Sequence, residues 1–66
     1  MKVQVNNKEV ETDASSTITK LAGQLELPSN GIAIAVNNKM IPRTEWDEFL
    51  LHENDRLVII KAACGG

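Results

Sequence analysis

One segment of this chain has the spacing of an amphipathic helix, whereas the other apolar stretches alternate with the period of a strand. A single helix must therefore cover a whole sheet. The helical segment is SSTITKLAGQLEL, residues 15–27, in which the apolar residues recur at i, i+3, i+4 and i+7: Ile18, Leu21, Ala22 and Leu25. We expect Thr17 or Ser16 to cap its first turn and Pro28 to end it. The small residue Gly23 predicts close packing of the helix on the sheet.

The strand-like segments stand around this helix in an informative order. They are MKVQVN (1–6), EVET (9–12), GIAIAV (31–36), the short KMIPR (39–43) and DRLVIIKA (55–62). The string VNNK occurs at both short connections, and asparagine tolerates the left-handed backbone that tight hairpins need. We expect Trp46, Phe49 and Leu50 to close the bottom of the core. A first hairpin, a helix and a late strand that returns beside the first predict an α+β, β-grasp (ubiquitin-like) fold, with a mixed sheet of four to five strands and one main helix packed across one face.

The sheet face away from the helix is expected to be apolar near the end of the chain. By alternation, the residues that point to this face are Ala33, Ala35, Val58 and Ile60. A contiguous apolar patch on a small protein marks a surface for a partner. The alternative is that these are scattered surface aliphatic residues.

Composition argues against several classes of function. The formal net charge is −2, and Trp46 and Phe49 are the only aromatic residues, so neither a basic surface nor a set of stacking platforms for nucleic acid is present. The single cysteine, Cys64, cannot form an internal disulfide or a zinc site. The apolar runs are too short to span a bilayer, and the N-terminus lacks the apolar core of a signal peptide. We expect a cytoplasmic protein without a metal.

The titratable residues do not indicate a catalytic site. His52 is the only histidine, and it stands in a probable turn with Glu53 and Asp55. The acidic residues of this region are predicted to form a solvated face, or one that meets a basic partner: Glu45, Asp47, Glu48, Glu53 and Asp55. Arg43 is interpreted as a surface residue that closes a strand end, with contact to a partner or a phosphate as the alternative.

The sequence ends LVIIKAACGG, and this is where we expect the chemistry. Residues 1–62 are predicted to form the β-grasp domain and residues 63–66 a flexible tail. A C-terminal carboxylate is ionised at neutral pH and a poor electrophile, so it must be activated, for instance as an acyl-adenylate. Glycines have no Cβ and can pass through a narrow channel into another protein's active site. Gly66 is thus the candidate site, Gly65 its approach, and Ala62, Ala63 and Cys64 a spacer.

The chain resembles the ThiS family, the ubiquitin-like sulfur carriers of thiazole formation in thiamin biosynthesis. The resemblance covers essentially the whole chain, and VNNKMIPRTEW (36–46) and HENDRLVIIKAACGG (52–66) are its most specific parts. It implies that a ubiquitin-activating-type adenylyltransferase uses ATP to adenylate Gly66, which then becomes a thiocarboxylate with sulfur from a cysteine desulfurase. Thiazole synthase would take that sulfur. The protein would be a recycled cosubstrate rather than an enzyme, a monomer when free, with no bound cofactor.

Three alternatives stay open at this stage. The small subunit of molybdopterin synthase shares the fold and the tail, although the IPRTEW stretch (41–46) and the compact length favour the thiamin protein. A protein modifier joined through Gly66 to lysines would also need this tail. A stand-alone enzyme or a nucleic-acid module has little support. Cys64 stands where the family would have a small, unreactive residue, and it is interpreted as a spacer rather than as a nucleophile towards activated Gly66.

Overall fold

The computed structural model describes residues 1–28 and 31–61, and these form a sheet of five strands with one α-helix on one face. The elements, in chain order, are β1 (Lys2–Val5), β2 (Lys8–Glu11), α1 (Ile18–Gln24), β3 (Ile32–Val36), β4 (Lys39–Ile41), a 3-10 helix (Arg43–Glu45) and β5 (Arg56–Lys61). The strand order is β2-β1-β5-β3-β4. β1 and β5 are parallel, and the other neighbours are antiparallel. The predicted β-grasp fold is confirmed.

Both VNNK strings form tight hairpin turns with two residues in the left-handed region. In the first turn Asn6 and Asn7 have φ values of 51° and 69°, and in the second Asn37 and Asn38 have 52° and 70°. Positive φ at both central residues is the signature of the type I′ turn, which matches the twist of the flanking strands. The turn chemistry predicted from the repeated string is confirmed.

The first asparagine of each turn also bonds to the central strand β5. The Asn6 side-chain oxygen accepts from the Ile59 N–H at 2.8 Å, and the Asn37 side-chain oxygen accepts from the Arg56 N–H at 3.0 Å. The Asn37 N–H in turn donates to the Arg56 carbonyl at 2.7 Å. The two hairpins therefore hold β5 from both sides at points where strand pairing stops.

The core lies between α1 and one face of the sheet. Its buried apolar residues are Val3, Val5, Ile18, Leu21, Ile34, Val36, Ile41, Trp46, Leu51 and Leu57. Ile34 and Val36 on β3 and Leu57 on β5 point toward α1, as their alternation predicted. Trp46 closes one end of this core, and its indole N–H donates to the Ile41 carbonyl at 3.0 Å.

The prediction for Leu50 is wrong, because the next residue takes the core position. Leu51 is 2% exposed and Leu50 is 53% exposed. The Leu51 N–H donates to the Ser16 carbonyl at 2.9 Å, and this bond fixes the direction of the segment as it passes the start of α1. The turn of the chain there places Leu51, rather than Leu50, toward the core. Phe49 is half-buried and packs against the core.

At the N-terminus of α1, Thr17 is the capping residue. Its side-chain oxygen accepts from the Lys20 N–H at 3.2 Å. Ser16, the other candidate, is fully buried and bonds through its hydroxyl to that of Thr12 at 2.7 Å. Ser16 therefore stabilises the approach to the helix rather than its first turn.

The prediction that Pro28 ends the helix is wrong, because α1 ends earlier through its own backbone bonds. The last helical residue is Gln24, and Glu26 follows with φ of 56°. The Glu26 N–H donates to the Gly23 carbonyl at 3.1 Å and the Leu27 N–H to the Ala22 carbonyl at 2.9 Å. These two bonds make a Schellman motif, in which a left-handed residue, usually glycine, terminates the helix.

The prediction that Gly23 permits close packing is also wrong. Gly23 is exposed, and a Cβ built on it would have no atom within 4 Å. The apolar stripe of α1 faces the sheet, and Gly23 lies outside that stripe. A side chain at this position would point into open space.

The Schellman motif leads to a first prediction, on Glu26. Replacement Glu26→Gly should raise the free energy of unfolding by about 0.5–1 kcal/mol, because relief of left-handed strain exceeds the extra entropy that glycine has in the unfolded chain. The measurement is the midpoint of urea denaturation. The matched control is Glu26→Gln, which removes the charge and keeps the Cβ. An equal gain in the control would mean that charge, not backbone conformation, is responsible.

A second prediction concerns the helix interior. Gly23→Ala should raise the free energy of unfolding by about 0.5–1 kcal/mol, since alanine loses less entropy in a helix and its methyl group meets nothing. Gly31→Ala is the control and should lower the free energy of unfolding, because Gly31 has a φ of 78°, at which a side chain is strained. Thermal and urea denaturation of both variants would check this. A destabilised Gly23→Ala variant would contradict the open surroundings of Gly23.

Candidate functional site

The four residues predicted to form an apolar patch lie on the sheet face away from α1. Ala33 is the cross-strand partner of Ile60, and Ala35 is the partner of Val58. Val58 is 45% exposed and Ile60 is 48% exposed, whereas the two alanines are half-buried between their neighbours. The small alanine side chains leave the two larger aliphatic groups of β5 standing above the sheet surface.

Met40 extends this surface and was missed by the sequence reasoning. It is 56% exposed and lies opposite Ala35, on the other side of that residue from Val58. The sequence does contain a signal for Met40. A two-residue turn at Asn37-Asn38 fixes the register of the hairpin, and this register pairs Met40 with Ala35. We call this five-residue surface, formed by Ala33, Ala35, Met40, Val58 and Ile60, the outer patch.

The outer patch gathers most of the exposed large aliphatic residues in residues 1–28 and 31–61. Those exposed residues are Met40, Leu50, Val58 and Ile60, and only Leu50 lies elsewhere. Such clustering differs from single aliphatic residues scattered over a surface, which need no explanation. The outer patch is therefore a contiguous apolar surface on the sheet face away from α1.

Part of the outer patch lies on β5, the strand that leads to the predicted tail. Val58 and Ile60 belong to β5, and Lys61 is its last residue. The predicted tail and spacer residues lie outside the described residues: Ala62, Ala63, Cys64, Gly65 and Gly66. Their proposed roles stay predictions from the sequence.

His52 and Asp55 shape the turn before β5. The His52 N–H donates to a carboxylate oxygen of Asp55 at 2.8 Å, and the Asn37 side-chain N–H donates to the other oxygen at 3.1 Å. The His52 ring nitrogen Nδ1 is 3.9 Å from Asp55, and 80% of the side chain is exposed. The Asp55 carboxylate thus joins the turn to the β3–β4 hairpin, while the imidazole stands in solvent.

The acidic residues do not converge on one point. Within the described ranges, no group of three or more His, Cys, Asp or Glu side chains could hold a metal ion. Nor does any helix in this part of the chain have the length and apolar character needed to cross a membrane. The Arg43 guanidinium lies 4.7 Å from the ring centre of Trp46, a cation–π contact just after β4.

The fold and this surface define the chain as a ubiquitin-like β-grasp protein. Two solved structures share the fold. One is the thiamine biosynthesis protein ThiS from Geobacter metallireducens, with a TM-score of 0.85 and 22% identity over the whole of both chains. The other is a ubiquitin-like protein from Caldiarchaeum subterraneum, with a TM-score of 0.55 and 19% identity over 98% of this chain and 100% of that one.

Sequence comparison gives the family. The profile of the ThiS family matches residues 3–66, nearly the full length, so the chain belongs to the ThiS family, as its sequence predicted. It is 26% identical to the sulfur carrier protein ThiS of Escherichia coli (strain K12) over 66 residues, the full length of both. It is also 29% identical over 66 residues to the thiazole synthase of Paramagnetospirillum magneticum, of which it spans only 20%.

Proposed function

We propose that this chain is a sulfur carrier whose C-terminal glycine donates the sulfur of the thiazole ring of thiamin. The observation that carries the proposal is the match of the ThiS family from residue 3 to Gly66, which includes the Gly-Gly tail as well as the fold. The similarity to one fifth of a thiazole synthase supports the thiazole pathway over molybdopterin synthesis. That protein, named a thiazole synthase, contains a segment that aligns with the whole of this chain.

The chemistry proposed at Gly66 follows from the needs of its carboxylate. The carboxylate attacks the α-phosphate of ATP in an adenylyltransferase partner, and pyrophosphate leaves. A persulfide, loaded onto a partner's thiol by a cysteine desulfurase, then displaces AMP to form an acyl disulfide. A second thiol reduces this acyl disulfide, which releases the thiocarboxylate and leaves a disulfide between the two thiols. Gly65 and Gly66 suit this reaction because neither has a Cβ that would obstruct a narrow channel, and a glycyl adenylate has no stereocentre to scramble. ATP is thus a substrate of the partner, and the carrier itself holds no cofactor.

The outer patch is proposed to dock the partners that act on the tail. Two of its residues, Val58 and Ile60, belong to β5, so a protein bound to them stands beside the point where residues 62–66 continue the chain. Two partners are proposed in turn, the adenylyltransferase and thiazole synthase. The carrier acts as their cosubstrate, monomeric between encounters and cytoplasmic, and does not catalyse a reaction itself.

The role of Gly66 is tested by intact-protein mass spectrometry after incubation with ATP, an adenylyltransferase, a cysteine desulfurase and cysteine. We expect one oxygen to be replaced by sulfur, mapped to Gly66, and no such change in a variant that lacks Gly66. The Cys64→Ser variant is the matched control, because a persulfide on Cys64 would add a sulfur atom without loss of oxygen. Loss of the modification in Cys64→Ser, or its survival without Gly66, would contradict the proposal.

The role of the outer patch is tested with the double variant Val58→Gln, Ile60→Gln. Both residues are about half exposed, so we expect the fold to be retained and the affinity for each partner to fall at least tenfold, as for a central interface anchor. Isothermal titration calorimetry measures the affinity, and urea denaturation checks the fold. Lys39→Gln is the control, since Lys39 is exposed and pairs with Val36, which places it on the helix side of the sheet. Unchanged affinity in a folded double variant would exclude the patch as a docking surface.

A further inference from the structure

A polar pocket lies beside the outer patch. Its lining residues come from both hairpin turns and from the strands between them: Gln4, Asn6, Asn7, Asn37, Asn38, Arg56, Leu57 and Val58. Val58 belongs to both the pocket and the outer patch, so the two surfaces are continuous. The pocket is rich in amide groups and contains one cation, Arg56, and no carboxylate.

Arg56 presents its charge on the same face as the outer patch. It alternates with Leu57, which is buried toward α1, and so shares the outer face with Val58 and Ile60. The ion pairs within residues 1–28 and 31–61 are Lys2–Glu9, Lys20–Asp13 and His52–Asp55, and Arg56 takes part in none of them. Among these residues, then, no carboxylate neutralises this guanidinium.

The nearest carboxylate along the chain is held elsewhere. One Asp55 oxygen accepts from the Asn37 side chain at 3.1 Å and the other from the His52 N–H at 2.8 Å. On the outer face, Glu9 is 3.9 Å from the ammonium group of Lys2. Both acidic groups near the pocket thus have partners other than Arg56.

The backbone of Arg56 is fixed in place by Asn37. The Asn37 N–H donates to the Arg56 carbonyl at 2.7 Å, and the Arg56 N–H donates to the Asn37 side-chain oxygen at 3.0 Å. The backbone of Arg56 is therefore preorganised. The planar guanidinium presents five N–H donors suited to bidentate contact with a carboxylate. The side-chain amides of Gln4, Asn7 and Asn38 also line the pocket.

We propose that this pocket binds an aspartate or glutamate carboxylate of the protein that docks on the outer patch, with Arg56 as its ion-pair partner. The identity of that protein rests on the proposed function, whereas the pocket and its charge do not. Because the charge stands at the rim of an apolar surface, it acts mainly on the rate and specificity of docking. It distinguishes an acidic partner surface from a basic one before the apolar contacts form.

The test compares two charge reversals, Arg56→Glu and Lys39→Glu. Lys39 is exposed, belongs to no ion pair of the described residues, and pairs with Val36, so its side chain shares the helix side of the sheet. Both variants change the net charge equally. We expect Arg56→Glu to lower the affinity for the adenylyltransferase or thiazole synthase by about tenfold or more, and Lys39→Glu to change it less than about twofold. Stopped-flow association at several salt concentrations should show a weaker salt dependence for Arg56→Gln than for the unmodified protein.

The outcomes separate this inference from the proposed function. Equal effects of Arg56→Glu and Lys39→Glu, or an unchanged salt dependence in Arg56→Gln, would overturn the carboxylate pocket while leaving the outer patch intact. Full affinity in the Val58→Gln, Ile60→Gln double variant would exclude the outer patch as a docking surface and, with it, a carboxylate presented by the protein docked there. Urea denaturation of each variant ensures that the affinities are those of folded protein.

Discussion

The parallel pairing of β1 with β5 is the constraint on which the rest of the molecule depends. It joins the first and last strands of the described chain, with Gln4 beside Arg56 and Val5 beside Leu57. β5 also pairs with β3, so a single strand connects the two hairpins. The side chains of Asn6 and Asn37 continue this connection beyond the ladders. Without β5, each hairpin would have an unpaired edge and no shared core.

One-sided burial explains why an apolar surface can persist on so small a protein. A single helix of seven residues, Ile18–Gln24, covers one face of the sheet, and the core uses nearly all the large aliphatic residues on that face. A chain of this size has no second layer to place on the other face. Charged or polar residues occupy that face along β1 and β2, whereas β3, β4 and β5 carry the outer patch. The apolar part is thus confined to β3, β4 and β5, on the side of the sheet away from β2.

Sequence reasoning predicted the fold well because each strand carries its own alternation and each hairpin its own turn residues. The faces of β3 and β5 follow from single-residue alternation, and the turns at Asn6 and Asn37 follow from backbone preference. It failed where the answer depends on tertiary contacts. Leu50 and Leu51 are adjacent and equally apolar, so only the bond of Leu51 to Ser16 decides which is buried. Glu26 ends the helix in a conformation that favours glycine, and no local signal indicates it. To place Met40 in the outer patch, the register of the β3–β4 hairpin must be known. To find the pocket at Arg56, the two hairpin turns must be placed side by side.

The central position of β5 has a consequence for synthesis of the protein. Contacts between residues near the start and residues 56–61 are the most non-local in the fold, and the chain must lose the entropy of closing a long loop before these contacts stabilise it. While the ribosome still holds these residues, the emerging chain has two hairpins and a helix but no strand to join them. The sheet can close only when β5 has been released. A nascent chain that stops before β5 is left with open strand edges, the kind of species that chaperones and proteases remove.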